Sequence, residues 1–213
     1  MSRHIAWATL IACLFMAGPG FAGVIIYNNG AGSTNSTAVG DLLTFPISGS
    51  GAWTSDTFTV ANSGTILIGV DAAIWALTGN LGSSLNYCIS TSADCSGSVE
   101  TGTGVSLIAD GSLGTSGSYT LEEYTFALKN NTYSSGTYWL TLTNAYVGSG
   151  NIAYWDEYGG TTGTSTVESS VVETATNQSQ SFDIVGAPEP GSIALFGSGL
   201  MLLLAGFARR ARR

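Results

Sequence analysis

The chain has 213 residues, of which 44% are hydrophobic, only 9% are charged and 29 are glycine. Together with abundant Ser, Thr and Asn, this mixture is typical of many short strands joined by turns and argues against a helical bundle. The formal net charge is −8, and Lys129 is the only cation between Gly23 and Ala187. Such a surface repels nucleic acid and anionic lipid, which excludes the common nucleic-acid-binding classes.

The first element in the chain is a predicted secretory signal peptide, residues 1–22. Arg3 precedes an apolar run from Ile5 to Ala17, and a Gly-Pro-Gly break follows. The small residues Gly20 and Ala22 occupy the positions that signal peptidase requires, so we expect cleavage between Ala22 and Gly23. The alternative is an uncleaved anchor, which the shortness of the apolar run disfavours.

Residues 23–186 are predicted to form one exported all-β domain. Apolar residues alternate with polar ones in several segments, which gives each strand one buried face. Gly- and Ser-rich turns separate these strands, and no helical stripe interrupts them. We expect an antiparallel β-sandwich of jelly-roll type. The alternating sets are Phe58 with Val60; Ile66, Ile68 and Val70; Tyr124, Phe126 and Leu128; and Tyr138, Leu140 and Leu142.

Two cysteines remain after the leader is removed. Cys13 leaves with the signal peptide, and Cys88 and Cys95 form an even pair in an exported chain. Such pairs usually form a disulfide, although the sequence also allows two free thiols.

Tryptophans supply the clearest hint of a binding function. Trp139 alternates with threonines along its predicted strand, and Trp155 shares a face with Glu157. An indole among hydroxyl or carboxyl groups can stack on a sugar ring, so Trp139, Trp155 and Trp75 are candidate glycan contacts. The competing interpretation is that these side chains fill packing layers of the sandwich.

The last element, residues 187–213, combines three features. Pro188-Glu189-Pro190-Gly191 cannot continue a helix, so the backbone there is expected to be extended and accessible. Residues 192–208 carry no charge and would span about 25 Å as a helix, enough to cross a bilayer with some local thinning. The positive-inside bias would keep the following arginines cytoplasmic, and these are Arg209, Arg210, Arg212 and Arg213.

This tail resembles the PEP-CTERM sorting signal that exosortases read. The resemblance implies that a membrane-embedded protease cuts near Pro188–Pro190 and passes the domain outward, so that signal peptidase and exosortase are the processing partners. A permanent membrane anchor is the alternative. The segments Ile74–Leu77, Gly136–Ala145 and Tyr154–Glu157 also look like exported domains often found ahead of such tails, which supports the fold.

The mature domain lacks most catalytic equipment. Its only histidine, His4, departs with the leader, and no phosphate-binding loop is present. A glycosidase would need two facing carboxylates, and the adjacent pairs Glu122-Glu123 and Asp156-Glu157 point to opposite sides of a strand. We therefore expect no enzyme and no cofactor, although Asp110, Asp156 and Glu157 could donate oxygens to a structural calcium ion.

The sequence as a whole predicts a noncatalytic protein of the cell surface or extracellular matrix. It would pass through an inner-membrane intermediate and then associate with exopolysaccharide or biofilm. A carbohydrate-binding module is the alternative function, and a secreted glycosidase is a third.

Overall fold

The computed structural model describes residues 23–30, 45–46, 53–80, 82–148, 153–158, 165–169, 172–176 and 179–188. The chain divides into two compact units, one of Ile25–Ala187 and one of Met1–Val24 with Pro188–Arg213. The first unit is all β-structure in its described residues, which confirms the predicted fold class. The described residues include no helix long and apolar enough to cross a membrane, and the predicted crossing segment 192–208 lies outside them.

A six-stranded antiparallel sheet forms one layer, in the order β14-β13-β3-β10-β5-β6. Its strands are β3 (Trp53–Val60), β5 (Gly82–Ser90), β6 (Ser98–Ser106), β10 (Gly136–Val147), β13 (Ser165–Ser169) and β14 (Val172–Thr176). The centre of this sheet is β10, which pairs with β3 on one side and β5 on the other.

An eight-stranded sheet forms the second layer around the 13-residue strand β4. On one side β4 pairs with β8, and β8 pairs with β7. On the other side it pairs with β16 and β11, which are followed by β1 and β2. The strands are β1 (Val24–Asn29), β2 (Phe45–Pro46), β4 (Thr65–Leu77), β7 (Ile108–Ser116), β8 (Tyr119–Ala127), β9 (Thr132–Tyr133), β11 (Tyr154–Trp155) and β16 (Phe182–Gly186).

A small two-stranded sheet completes the described structure, formed by β12 (Glu157–Tyr158) and β15 (Ser179–Gln180). The chain then enters β16, whose first residues pair with the middle of β4.

The two large sheets bury one shared hydrophobic core, which defines a β-sandwich. The predicted inward set Tyr138, Leu140 and Leu142 faces this core, as do Tyr124, Phe126 and Leu128. Aromatic contacts join the side chains of the two layers, for example Tyr87 of β5 with Phe126 of β8 at 5.6 Å between ring centroids.

One predicted strand face is wrong. Ile66 is 39% exposed and Ile68 is only half-buried, whereas Leu67 is fully buried beside Val70 in the core. The register with β16 shifts here, since Val185 pairs with Gly69 and Gly186 pairs with Leu67. A β-bulge therefore inserts one residue and reverses which side chains point inward.

Candidate functional site

The predicted processing sites lie almost entirely outside the described residues. Gly23 is the first described residue and Pro188 the last, and β16 ends at Gly186 immediately before the sorting motif. Outside the described residues are Ala22, Glu189, Pro190, Gly191, Arg209, Arg210, Arg212 and Arg213.

Cys88 and Cys95 are joined by a disulfide, as predicted. The loop that they close crosses the outside of the six-stranded sheet, where the Thr141 hydroxyl donates to the carbonyl of Ala93 at 3.3 Å. Hydrogen bonds from Ser96 and Ser92 hold the pKa of the Asp94 carboxyl down at about 2. The loop is thus tied both to itself and to the sheet.

Two of the three candidate glycan contacts are buried, so the sequence prediction is wrong for them. Trp155 is 0% exposed and packs on Phe182 in the core, at 5.3 Å between ring centroids. Trp75 is 3% exposed, and its indole N–H donates to Asp156 Oδ1 at 2.6 Å. Trp155 is buried because β11 pairs with β4, which places it opposite Ile74 in the shared core. Trp75 is buried instead in a second, smaller hydrophobic cluster with Ala73 and Leu121.

Trp139 lies on the outside of the six-stranded sheet and is half-buried. It stands between Thr57 of β3 and Ser90 of β5 in the sheet register. The outward side chains around it are small and hydroxylated, and we call this surface the hydroxyl face. It consists of Trp53, Ser55, Thr57 and Thr59 of β3; Thr137, Trp139, Thr141, Thr143 and Tyr146 of β10; and Ser84, Asn86 and Ser90 of β5. Ser55, Ser90 and Thr141 are buried, and Thr141 is bonded to the disulfide loop.

Two aromatic members of the hydroxyl face, Trp53 and Tyr146, were not predicted from the sequence. Tyr146 is 61% exposed, and Trp53 is half-buried opposite Thr143. Tyr146 points outward because the pairing of β10 with β5 shifts between Thr143 and Tyr146, where Asn144 adopts a φ of 49°. Asn is one of the few residues that tolerate this left-handed backbone, so Asn144 within a strand was an available signal of the bulge.

The outside of the eight-stranded sheet is different, because it carries carboxylates. Asp71 and Asp183 stand directly opposite each other on neighbouring strands. Burial raises the pKa of Glu123, and Asp71, Asp110 and Asp183 raise it further. Burial and Asp110 also raise the pKa of Asp71, against the hydrogen bond from Thr125. We call Asp71, Asp110, Glu123 and Asp183 the acidic face.

A buried carboxylate, Asp56, joins the six-stranded sheet to the small two-stranded sheet. Asp56 of β3 is 0% exposed, and its Oδ2 accepts hydrogen bonds from Ser179 Oγ at 2.7 Å and from the Gln180 N–H at 2.6 Å. The Thr57 N–H donates to Oδ1 at 2.6 Å. Burial outweighs these bonds and raises the pKa of Asp56 to about 6. The alternation of β3 did not reveal this, because a charged residue at an inward position reads as a break in the pattern.

A second buried carboxylate, Glu100, accepts hydrogen bonds from two tyrosines. Tyr87 donates at 2.5 Å and Tyr133 at 2.9 Å, while the Lys129 backbone N–H donates at 2.7 Å. Burial, followed by Glu100, raises the pKa of both tyrosines, so their hydroxyls stay protonated donors. These bonds satisfy a carboxylate that would otherwise be costly to bury.

The candidate calcium ligands are not brought together in the described structure. Asp110 lies on the acidic face beside Thr125, whereas Asp156 is buried against Trp75. Among the described residues, no group of three or more His, Cys, Asp or Glu side chains is arranged to hold a metal ion. The side chain of Glu157 lies outside the described part of the chain.

No family model and no curated protein matches the chain.

Proposed function

We propose that the chain is a noncatalytic, exported protein of the cell surface or extracellular matrix, sorted by an exosortase and associated with exopolysaccharide. The observation that carries this proposal is the order of Pro188-Glu189-Pro190, the uncharged residues 192–208 and the terminal arginine cluster. In that order, these parts would supply an accessible cleavage site, a helix that crosses the membrane and a positively charged end that stays cytoplasmic.

We also propose how the chain is cleaved and how it crosses the membrane. Residues 1–22 are the signal peptide, 192–208 the transmembrane helix of an inner-membrane intermediate, and the exported sandwich is of jelly-roll type. The compact unit Ile25–Ala187 supports this division, since it begins and ends close to the expected cut sites. The Cys88–Cys95 disulfide is consistent with an oxidising compartment.

A carbohydrate-binding module is the second candidate, and the position of Trp139 favours it. This half-buried indole stands among hydroxyl groups on the outside of the sandwich. Aromatic rings flanked by hydrogen-bonding groups are well suited to pack against sugars. The two candidates are compatible, because a matrix protein that binds the matrix polysaccharide would satisfy both.

Intact-mass analysis tests the proposed sorting. The protein would be recovered from cells and from medium, in a host with its exosortase and in one without it. We expect the recovered chain to begin at Gly23 and to end at or near Pro188–Pro190 only when exosortase is present. A full-length C terminus in both hosts would contradict sorting and favour a permanent anchor.

Substitutions in the motif give the matched comparison. Glu189→Ala and a variant with both Pro188→Ala and Pro190→Ala should leave the tail attached and the protein in the membrane fraction. Asp94→Ala, which removes an exposed acid from the disulfide loop, should be processed like the unmodified chain. Equal processing of all the variants would show that the motif is not what the protease reads.

A further inference from the structure

Asn29 ends β1 and is buried among polar groups of three other strands, with only 2% of its surface exposed. Its side-chain nitrogen Nδ2 donates to Ser179 Oγ and to the Gln180 carbonyl, both on β15, and lies 3.5 Å from Asp56 Oδ2 on β3. Its backbone N–H donates to Asp183 Oδ1 on β16 at 3.1 Å. Asn29 therefore ties the end of β1 to β3, β15 and β16, and it is the donor in each contact.

The residue after Asn29 makes its side chain chemically reactive. Asn29-Gly30 is the only Asn-Gly dipeptide in the chain, and glycine offers no side chain to hinder attack by its own backbone nitrogen. That nitrogen can bond to Asn29 Cγ and close a five-membered succinimide ring, while the Cγ–Nδ2 bond breaks and ammonia leaves with the displaced proton. Water then opens the ring to give Asp or isoaspartate. The reaction needs water alone, without oxidant or reductant.

The folded domain restrains both reacting groups. The Gly30 N–H donates to Asn28 Oδ1 at 3.2 Å, so the attacking nitrogen is already engaged. The Asn29 carboxamide is fixed by its bonds to β15 and is almost completely removed from water. An unfolded chain loses both restraints. Deamidation of Asn29 is therefore expected when this part of the domain has opened, and not while it is closed.

The product does not fit the place that Asn29 occupies. A carboxylate cannot donate a hydrogen bond, so the Gln180 carbonyl and the Asp56 carboxylate would each face another acceptor. The new negative charge would be buried close to Asp56 and Asp183, and burying an unpaired charge is costly. Lys129, the only Lys or Arg among the described residues, is exposed and does not compensate it. Isoaspartate would also lengthen the main chain at the end of β1.

We propose that Asn29-Gly30 is a modification site that reacts when the domain unfolds and then prevents the domain from refolding. Three observations support this proposal: the reactive dipeptide, the restraint of both reacting groups in the folded domain, and a set of buried contacts that only an amide satisfies. The modification makes unfolding irreversible. It goes beyond the proposed surface function and does not depend on it.

Parallel incubations of the purified full chain test the site. One sample stays folded in detergent, and the other is held unfolded in guanidinium chloride at the same pH and temperature. Mass spectrometry of chymotryptic peptides follows the conversion of Asn29 to Asp and isoaspartate. We expect conversion to be slower by on the order of 10-fold or more in the folded sample, because the reaction requires opening. After dilution of the denaturant, the refolded fraction should fall in step with the converted fraction.

Substitutions separate the chemistry from the fold. In denaturant, Gly30→Ala should convert Asn29 severalfold more slowly, because the added methyl group hinders the attack, and this measurement does not require folding. Asn29→Asp reproduces one product and should unfold at a lower denaturant concentration than the unmodified chain. Asn62→Asp makes the same change of charge at an exposed turn and is the matched control, which should unfold like the unmodified chain.

Three results would overturn the inference. These are equal rates of conversion at Asn29 in the folded and the unfolded samples, converted chains that refold as well as unconverted ones, or equal stability of Asn29→Asp and Asn62→Asp. If Asn29→Asp does not fold at all, the refolding of the unmodified chain after conversion still decides the matter. None of these measurements involves exosortase or polysaccharide, so the outcome is independent of the sorting assay.

Discussion

The ring of Tyr87 on β5 lies directly over Gly102, its partner on β6. A Cβ built on Gly102 would stand 2.1 Å from Tyr87 Cε1, far inside van der Waals contact. The ring is held in place, because its hydroxyl donates to Glu100 at 2.5 Å and its face contacts Phe126 at 5.6 Å between centroids. Glycine at this position thus allows the buried Tyr87–Glu100 bond to form.

Replacing Gly102 with Ala should therefore destabilise the sandwich. We expect the free energy of unfolding to fall by about 1–3 kcal/mol, the usual cost of overpacking a core that cannot shift. Urea denaturation followed by tryptophan fluorescence measures it. Gly114→Ala on β7 is the control, since a Cβ there meets nothing within 4 Å. Equal midpoints for the two variants would mean that Tyr87 moves aside freely.

Stability should fall as the pH rises toward 6, because of Asp56. Its pKa is about 6 in the folded protein against an ordinary value of 3.8, so folding favours the protonated carboxyl. This contribution is fully present below pH 3.8 and is lost by about pH 6, which corresponds to on the order of 3 kcal/mol. Unfolding in urea at a series of pH values measures the slope.

Two substitutions test whether the Asp56 carboxyl causes this pH dependence of stability. Asp56→Asn should flatten the pH dependence between about 4 and 6 while lowering stability overall, because an amide cannot accept all the bonds that surround the carboxylate. Asp94→Asn should leave the slope in that window intact, since the pKa of Asp94 is about 2. A slope that persists in Asp56→Asn would assign it to another carboxylate.

The pair Asp71 and Asp183 predicts a stabilising substitution. Like charges directly opposite in a sheet repel, and Asp71→Asn removes one of them while keeping an oxygen to accept the Thr125 hydroxyl bond. We expect a gain of roughly 0.2–1 kcal/mol at pH 7. Near pH 3 the gain should vanish, because Asp71 is then protonated and uncharged. A thermal unfolding comparison at both pH values decides the matter.

Loss of the disulfide should weaken the fold without abolishing it. On the chain-entropy model, opening the loop from Cys88 to Cys95 costs about 2.5 kcal/mol. The variant with both cysteines changed to Ser should resemble the reduced unmodified protein in urea denaturation. If reduction changes nothing, the contact of Thr141 with Ala93 and the serine bonds of the loop are sufficient to hold it.

Simple alternation in the sequence predicted much of the sandwich. The set Tyr138, Leu140 and Leu142 was predicted correctly, because β10 runs without interruption as far as Thr143. Beyond that point the bulge at Asn144 turns Tyr146 outward, and the comparable bulge near Ile68 turns Leu67 inward. A bulge depends on the pairing of two strands, so the pattern of one strand cannot reveal it.

The tryptophans illustrate the same limit for the candidate site. Trp139 was placed correctly on an outer face because its own strand alternates. Trp155 belongs to a two-residue strand, and its burial follows from pairing with β4, which lies about 80 residues earlier in the chain. The Glu100 and Asp56 clusters were likewise beyond prediction, because each joins side chains from several strands.

Because Lys129 is the only Lys or Arg between Gly23 and Ala187, cleavage by trypsin can show whether this domain is folded. Trypsin cuts after Lys or Arg, so between Gly23 and Ala187 it can hydrolyse only the bond that follows Lys129. That bond lies between β8 and β9, next to the backbone N–H of Lys129, which donates to Glu100. Scission would give two fragments that the Cys88–Cys95 bridge does not connect, and a single digestion time course would therefore follow the opening of the sandwich.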